Sequence, residues 1–232
     1  MRIIIFFALI IISFLPILLL GYYIYEKDTI KEPKKLLIKL FFSGFIISLL
    51  VIVINVIFAI HFRNLFLFNN SYKDDFVLTF SLAFIEIGFL EEFIKWFVIK
   101  KTGYNSPEFD QIYDIIVYCT FVSLGFAFFE NIFYVLNGGI KIGILRGLLS
   151  VPAHACYGVF MGYFLGKAKI NKGIDTILYF ILSILIPSFL HTLYDTILMF
   201  DGKLYFWILI TYMTLLYIIS FKIINNYSKG KI

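Results

Sequence analysis

Seven apolar runs, each long enough to cross a lipid bilayer as a helix, occupy most of this 232-residue chain. A hydrocarbon core of about 30 Å needs roughly 20 apolar residues per helix, and no run alternates as a membrane β-strand does. Hydrophobic residues make up 61% and charged residues 15% of the sequence, which excludes a water-soluble domain. We therefore predict an all-α, polytopic membrane bundle of about seven transmembrane helices. The runs cover residues 3–25, 36–60, 76–99, 112–136, 143–166, 174–200 and 203–222.

The loops between the runs are short, and the sequence shows no internal repeat or interdomain linker. We expect a single membrane domain, 1–232. Within it we distinguish two peripheral helices (1–62), a helical core (76–200) and a C-terminal helix with its tail (203–232).

The basic residues are distributed unevenly between the two ends of the runs. Twelve lysines follow the odd-numbered runs, and six Lys or Arg residues lie on the other side. The positive-inside rule then places the N-terminus outside and the C-terminus in the cytoplasm of a cell membrane. Because these charges lie in loops and form no stripe on a polar surface, they favour lipid contact over nucleic-acid binding. The six are Arg2, Arg63, Lys73, Lys141, Arg146 and Lys203.

Ionisable side chains also occur inside the apolar runs, where placing a charge in lipid costs free energy. A charged residue at the centre of a membrane helix costs about 2.5 to 3.5 kcal/mol on insertion scales. Pairing, protonation, metal coordination or a water-filled cavity must offset this cost, and the last three usually indicate function. The residues are Glu86, Glu91, Glu92, Lys95, Glu130, His154, His191 and Asp195.

The third run places three of these side chains on one helical face. Lys95 follows Glu91 by four residues and Glu92 by three, so it can pair with either acid. The remaining carboxylate is a candidate general base. The alternative is a structural ion pair with Lys95 extending toward the membrane surface.

The fourth run repeats polar and aromatic residues every four positions. Phe126, Glu130 and Tyr134 share one face, with Asn131 beside them, and the Tyr134 hydroxyl could bond to Glu130. A hydrogen-bonded packing cluster is the alternative to a functional acid.

In the fifth run, His154 heads a stripe of glycines. The four-residue spacing of Gly158, Gly162 and Gly166 is the pattern that brings membrane helices into close contact. We expect the glycines to be structural and His154 to point into the bundle.

In the sixth run, His191 and Asp195 lie four residues apart, so the carboxylate can orient the imidazole. Two histidines and surplus carboxylates match zinc sites of the His₂Glu type, with a further glutamate left to activate water. Hydrolysis within the membrane is the natural inference. The chain has no His-Glu-x-x-His, no Gly-x-Gly-Asp, and no rhomboid-like setting around Ser150, so other intramembrane protease types are disfavoured.

Four ordered segments between residues 86 and 196 resemble the PrsW family of intramembrane proteases. They are Glu91-Glu92-Phe-Ile-Lys95-Trp; Tyr113-Asp114 with Phe-Phe-Glu130-Asn131-Ile-Phe-Tyr134; Ala-His154-Ala-Cys-Tyr-Gly; and His191-x-x-x-Asp195. The resemblance implies that the paired glutamates, the second-motif acid and the two histidines form the site. It also implies a single-span membrane protein as substrate, an anti-sigma factor cut first on its extracytoplasmic side.

We therefore predict an intramembrane endopeptidase. Glu91 or Glu92 activates water, Lys95 is the charge partner, and Asp195 orients His191. A metal, most simply Zn²⁺, is held by Glu130, His154 and His191, or these residues polarise the scissile carbonyl. The resemblance extends to a wider superfamily that includes the CAAX prenyl endopeptidases, whose Phe-x-x-x-His motif would map onto Phe126 and Glu130. Because this chain has glutamate in place of that histidine, a glutamate mechanism with little metal stays open.

Two points stand against this interpretation. The limits of the runs separate Glu91 from Glu130 by about 14 Å along the membrane normal, so we expect the third helix to lie further outward than its hydropathy suggests. A proton-coupled transporter or a non-catalytic scaffold could use the same buried acids, although the chain lacks the repeated halves typical of transporters.

Overall fold

The computed structural model describes residues 2–61 and 75–229. These residues form helices and no strand, which confirms the all-α class. Arg63, Lys73 and Lys231, which entered the predicted topology, lie outside the described residues. The elements are α1 (Arg2–Lys27), α2 (Lys34–His61), α3 (Phe76–Ala83), a π-helical segment (Phe84–Phe89), α4 (Leu90–Thr102), α5 (Ile112–Leu148), α6 (Ser150–Ile170), α7 (Ile174–Met199) and α8 (Lys203–Tyr227).

Five helical stretches of the described chain are long and apolar enough to cross a membrane. The stretch Ile112–Ile170 contains both α5 and α6, whereas residues 76–102 are divided among three short elements. The predicted number of about seven helices is therefore approximate. Large apolar side chains such as Ile11, Leu19 and Trp207 are exposed on the outside of the bundle, as expected where lipid is the solvent. The stretches are Leu9–Lys27, Lys34–Ile57, Ile112–Ile170, Ile174–Met199 and Lys203–Tyr227.

Helix α5 lies at the centre of the bundle and packs on α1, α2 and α6. Almost every side chain from Ile112 to Ala127 is buried. Two hydrogen bonds fasten α1 to this helix: the Tyr113 hydroxyl donates to the Ile24 carbonyl, and Asn131 Nδ2 donates to the Ser13 carbonyl, each at 3.0 Å.

The glycine stripe of α6 faces α5, which confirms the predicted close packing. A Cβ added to Gly158 would lie 2.8 Å from the Thr120 Cα, and one added to Gly162 would meet the backbone of Ile116. Because backbone atoms cannot move aside as a flexible side chain does, the two helices can approach this closely only without these Cβ atoms.

The sequence predicted a break in the helix between residues 136 and 143, and the backbone is non-helical within this interval, at Gly139. The predicted start of the fifth helix at residue 143 was wrong, because α5 continues after the bend to Leu148 and α6 begins at Ser150. The bend is at Gly139, whose φ of 72° and ψ of −166° suit a residue without Cβ. The helical turns after the bend carry Arg146 back toward the centre of the bundle.

Candidate active site

The two adjacent glutamates and the lysine lie in the first turns of α4, directly after the π-helical segment. Within that segment Gly88 contacts Ser188 and Thr192 of α7, and an added Cβ would collide with both residues. The close approach brings the start of α4 against the middle of α7. The Glu91, Glu92 and Lys95 side chains are consequently buried. Glu86 lies within the π-helical segment itself.

Lys95 pairs with both acids, as its spacing predicted, but not equally. Its Nζ is 2.7 Å from Glu92 Oε1 and 3.8 Å from Glu91 Oε2. The same ammonium lies 3.9 Å from the centre of the Phe126 ring, a cation–π contact. Glu92 is therefore the charge partner of Lys95, and Glu91 is the carboxylate left over.

Helix α7 places His191 between these glutamates and Asp195. Its Nδ1 is 3.0 Å from Glu92 Oε1, and its Nε2 is 3.3 Å from Asp195 Oδ2 and 3.9 Å from Glu91 Oε2. The imidazole also stacks on the Tyr157 ring of α6, with 4.9 Å between ring centres. The expected His191–Asp195 contact is present as an ion pair, whereas Asp195 Oδ2 makes no hydrogen bond in the described structure, and the hydrogen bond to the ring comes from Glu92.

His154 is the second imidazole of the site, with its ring centre 4.9 Å from that of His191. Its Nε2 is 3.0 Å from Glu130 Oε2, and its Nδ1 is 3.3 Å from Lys95 Nζ. Since an ammonium can only donate, Nδ1 accepts from Lys95 and Nε2–H donates to the Glu130 carboxylate.

Glu130 receives a cation that sequence reasoning missed. Arg146 Nη2 donates to Glu130 Oε2 at 3.1 Å, and the guanidinium lies 4.0 Å from the centre of the Tyr134 ring. Tyr134 thus contributes its ring to Arg146, whereas its hydroxyl was expected to bond to Glu130. The Gly138-Gly139 pair was the available signal for a chain bend that could return Arg146 to Glu130.

Side chains of this group line a cavity of about 370 Å³ between α2, the π-helical segment, α4, α5, α6 and α7. Glu91, Glu130, His154, His191 and Asp195 all face it. The cavity also has a wall from α2, including Ser48 and Asn55, although α2 carries no motif and was predicted to be peripheral. All seven predicted site residues thus come together in one cluster, and the 14 Å offset expected between Glu91 and Glu130 does not keep them apart.

Two glutamate oxygens have no hydrogen-bond partner within the described structure. Glu91 Oε2 and Glu92 Oε2 are both buried and unpaired in this sense. Of these two glutamates, only Glu91 lines the cavity. Because a buried carboxylate oxygen without a donor is costly, the Glu91 oxygen is available for a water or a substrate group.

Three side chains satisfy the chemistry of a metal site. One donor atom each from Glu92, His154 and His191 lies within 4.8 Å of the other two, and two imidazoles with one carboxylate form a set common at catalytic zinc. The residues present therefore fit a metal. The carboxylate in this set is Glu92, whereas the sequence suggested Glu130, which instead bonds to His154 and Arg146.

Comparison with known proteins identifies relatives over most of the chain. Residues 32–223 match the model of the "PrsW family intramembrane metalloprotease". Protease PrsW of Oceanobacillus iheyensis is 39% identical over 206 residues, which cover 88% of this chain and 89% of the relative. Protease PrsW of Bacillus subtilis is 37% identical over 193 residues, 83% of each chain. No solved structure shows significant similarity to the chain.

A more distant match supports the same assignment. Protease PrsW of Clostridioides difficile is 30% identical over 228 residues, 94% of this chain and 91% of the relative. Relatives that are proteases, together with buried acids and histidines around one cavity, favour hydrolysis over the transporter and scaffold alternatives. The chain is an integral membrane protein whose substrate is a membrane protein, and it belongs to the PrsW family of intramembrane metalloproteases.

Proposed function

We propose that Glu91 is the general base of peptide-bond hydrolysis in this cavity. The observation that carries the proposal is its buried Oε2, which lines the cavity without a hydrogen-bond partner in the described structure and lies 3.9 Å from His191 Nε2. A base needs a free oxygen within reach of the water that it deprotonates. Glu92 has the opposite character, since its Oε1 already bonds to Lys95 and His191.

The other residues then orient the histidines and balance their charge. Glu92 holds His191 through Nδ1, with the Asp195 carboxylate 3.3 Å from Nε2, and Glu130 holds His154 through Nε2. Arg146 stabilises the Glu130 carboxylate. The Lys95 ammonium balances the negative charge of the two glutamates in a region from which water is largely excluded.

Glu92, His154 and His191 would hold the metal of the family. This set revises the one expected from the sequence, in which Glu130 took the place of Glu92. Two nitrogens and one carboxylate oxygen suit Zn²⁺ better than Mg²⁺ or Ca²⁺. When bound, the ion would supply Lewis acidity toward the scissile carbonyl and the attacking water.

The substrate that we propose is a single-span anti-sigma factor, cut on the outer side of the cell membrane. Support comes from the family resemblance and from the distribution of lysines, which predicts an outer N-terminus and a cytoplasmic C-terminus. Asp195 precedes the end of α7 at Met199 by four residues, about 6 Å along the helix. In this orientation the site lies near the outer surface.

The test is cleavage of a panel of single-span substrates, anti-sigma factors among them, by the purified protein in detergent. Wild type, Glu91→Gln, His154→Ala and His191→Ala are compared with and without a strong chelator, and Glu26→Gln, an exposed position, is the matched control. We expect cleavage by wild type and Glu26→Gln alone, and its loss on chelation. Cleavage that survives Glu91→Gln would overturn the assignment of the base.

A further inference from the structure

A second group of acidic side chains lies far from the active site. Asp28 and Glu32, in the connection between α1 and α2, meet Asp114 in the first turn of α5. One carboxylate oxygen from each residue lies within 4.8 Å of the other two. Asp114 precedes Glu130 by 16 residues on α5, about 24 Å at the rise of an α-helix. The cluster is therefore independent of the site described above.

All three side chains are buried, with exposed fractions of 3% for Asp28, 5% for Glu32 and 1% for Asp114. Each carboxylate accepts a hydrogen bond from the protein. Asp28 Oδ1 accepts from the Ile30 N–H and Glu32 Oε2 from the Tyr118 hydroxyl. Asp114 Oδ2 accepts from the backbone N–H groups of the two residues before α5, Asp110 and Gln111. These bonds fix the carboxylates in place and satisfy only part of their capacity to accept.

One oxygen of the cluster has no donor in the described structure. Asp28 Oδ2 is buried, and no hydrogen-bond partner within reach satisfies it. An unsatisfied buried acceptor costs about 1 to 3 kcal/mol, and more when it is charged. Because the Asp28 carboxylate already belongs to a converging set of oxygens, a cation bound among them would remove this cost.

The described surroundings do not neutralise the cluster. Lys31 is close enough to act on the charge of Asp28, but its Nζ bonds to the Tyr25 carbonyl and to Glu26. Burial raises the pKa of Glu32 to about 8, and the charges of Asp114 and Asp28 act in the same direction. A bound cation or a shared proton is needed to stabilise three carboxyl groups at this distance.

We propose that Asp28, Glu32 and Asp114 bind a hard divalent cation of the Ca²⁺ or Mg²⁺ class. Oxygen-only ligands with three carboxylates suit these ions, whereas the imidazoles of the active site suit zinc. The cation would fasten the α1–α2 connection to the beginning of α5. It is a structural ion, separate from any metal used in hydrolysis.

The experiment measures thermal unfolding of the full chain in detergent by the fluorescence of Trp96 and Trp207. The protein is first treated with chelator and then titrated with Ca²⁺ or Mg²⁺ alone. Asp28→Asn removes the negative charge of the carboxylate that carries the unpaired oxygen. Glu26→Gln, two residues earlier and exposed, is the control. The double substitution His154→Ala and His191→Ala removes the imidazoles of the active site from the comparison.

We expect either ion to raise the Tm of wild type, of Glu26→Gln and of the double histidine variant. Asp28→Asn should lose the shift, with the apparent affinity about tenfold weaker or more. Glu32→Gln, which keeps an oxygen for the Tyr118 hydroxyl, should behave in the same way and replaces Asp28→Asn if that variant does not fold. Absence of a shift in wild type would overturn the proposal in favour of a shared proton, and an equal shift in both ligand variants would overturn it in favour of binding elsewhere.

Discussion

At the scale of single residues, the two adjacent glutamates of α4 should respond differently to the same substitution. Glu91→Gln should lower the rate of cleavage by a factor of about 10² to 10⁴, the range expected for loss of a general base. Its Tm should change little, since Glu91 Oε2 has no hydrogen-bond partner in the described structure and Lys95 is 3.8 Å away. Cleavage rate and Tm in detergent check both expectations.

Glu92→Gln should instead destabilise the fold as well as the activity. The substitution removes the closer charge partner of a fully buried lysine, and breaking a buried ion pair from one side costs about 3 to 5 kcal/mol. The measurement is denaturant or thermal unfolding beside Glu91→Gln. Equal stability of the two variants would contradict the unequal sharing of Lys95.

We expect Lys95 to compete with a metal for two of its ligands. Its Nζ bonds to Glu92 Oε1 and His154 Nδ1, which belong to two of the three proposed metal ligands. Lys95→Met should therefore be less stable than wild type without metal, and Zn²⁺ should raise its Tm more than it raises that of wild type. A Zn²⁺-dependent shift no larger than that of wild type would show that the ammonium does not occupy ligand positions.

The contacts of the site differ in how far the sequence could predict them. Lys95–Glu92 and His191–Asp195 follow from helical spacing, so three- and four-residue intervals were sufficient. Glu92 and His191 are 99 residues apart, and their contact depends on how α4 and α7 are aligned. Hydropathy gives helix limits to within several residues only, which is why it left Glu91 and Glu130 at different depths.

At the scale of elements, the packing of α6 on α5 should be sensitive to a single added methyl group. Gly162→Ala places a Cβ against the backbone of Ile115 and Ile116, where nothing can rotate away. Overpacking of this kind costs about 1 to 3 kcal/mol, and cleavage should fall because His154 lies on the same helix. Thermal unfolding and cleavage are measured together.

The control for this substitution is Gly21→Ala in α1. There an added Cβ meets Leu124 and Phe121 at 3.7 and 3.8 Å, which are ordinary contacts. The variant should match wild type or exceed it slightly, because alanine favours helix over glycine. If both variants lost the same stability, the loss would not come from the α5–α6 approach.

The π-helical segment is an element that the sequence did not predict. The apolar run 76–99 carried no sign of a change in helical pitch, yet Phe84–Phe89 is π-helical and Gly88 contacts α7 there. π-helical segments often occur at functional sites. Here the segment ends at Phe89, so that Glu91 and Glu92 follow where α4 meets His191.

At the scale of the whole molecule, labelling of introduced cysteines can test the orientation in the membrane. Cys119 and Cys156 are both buried, so wild type should react little with an impermeant maleimide. Lys172→Cys and Asp201→Cys each add a thiol at an exposed position on opposite sides of the predicted topology. With the N-terminus outside, Asp201→Cys should be labelled on intact cells, and Lys172→Cys only after the cells are permeabilised.

The result also bears on where the substrate is cut. Since α7 ends at Met199, about 6 Å along the helix from Asp195, labelling at Asp201 from outside would place the cavity near the outer surface. A cut on the extracytoplasmic side of a single-span protein would then need little movement of the substrate helix. The reverse pattern would contradict the predicted orientation and put the cavity near the cytoplasm, where the same residues would meet the other end of that helix.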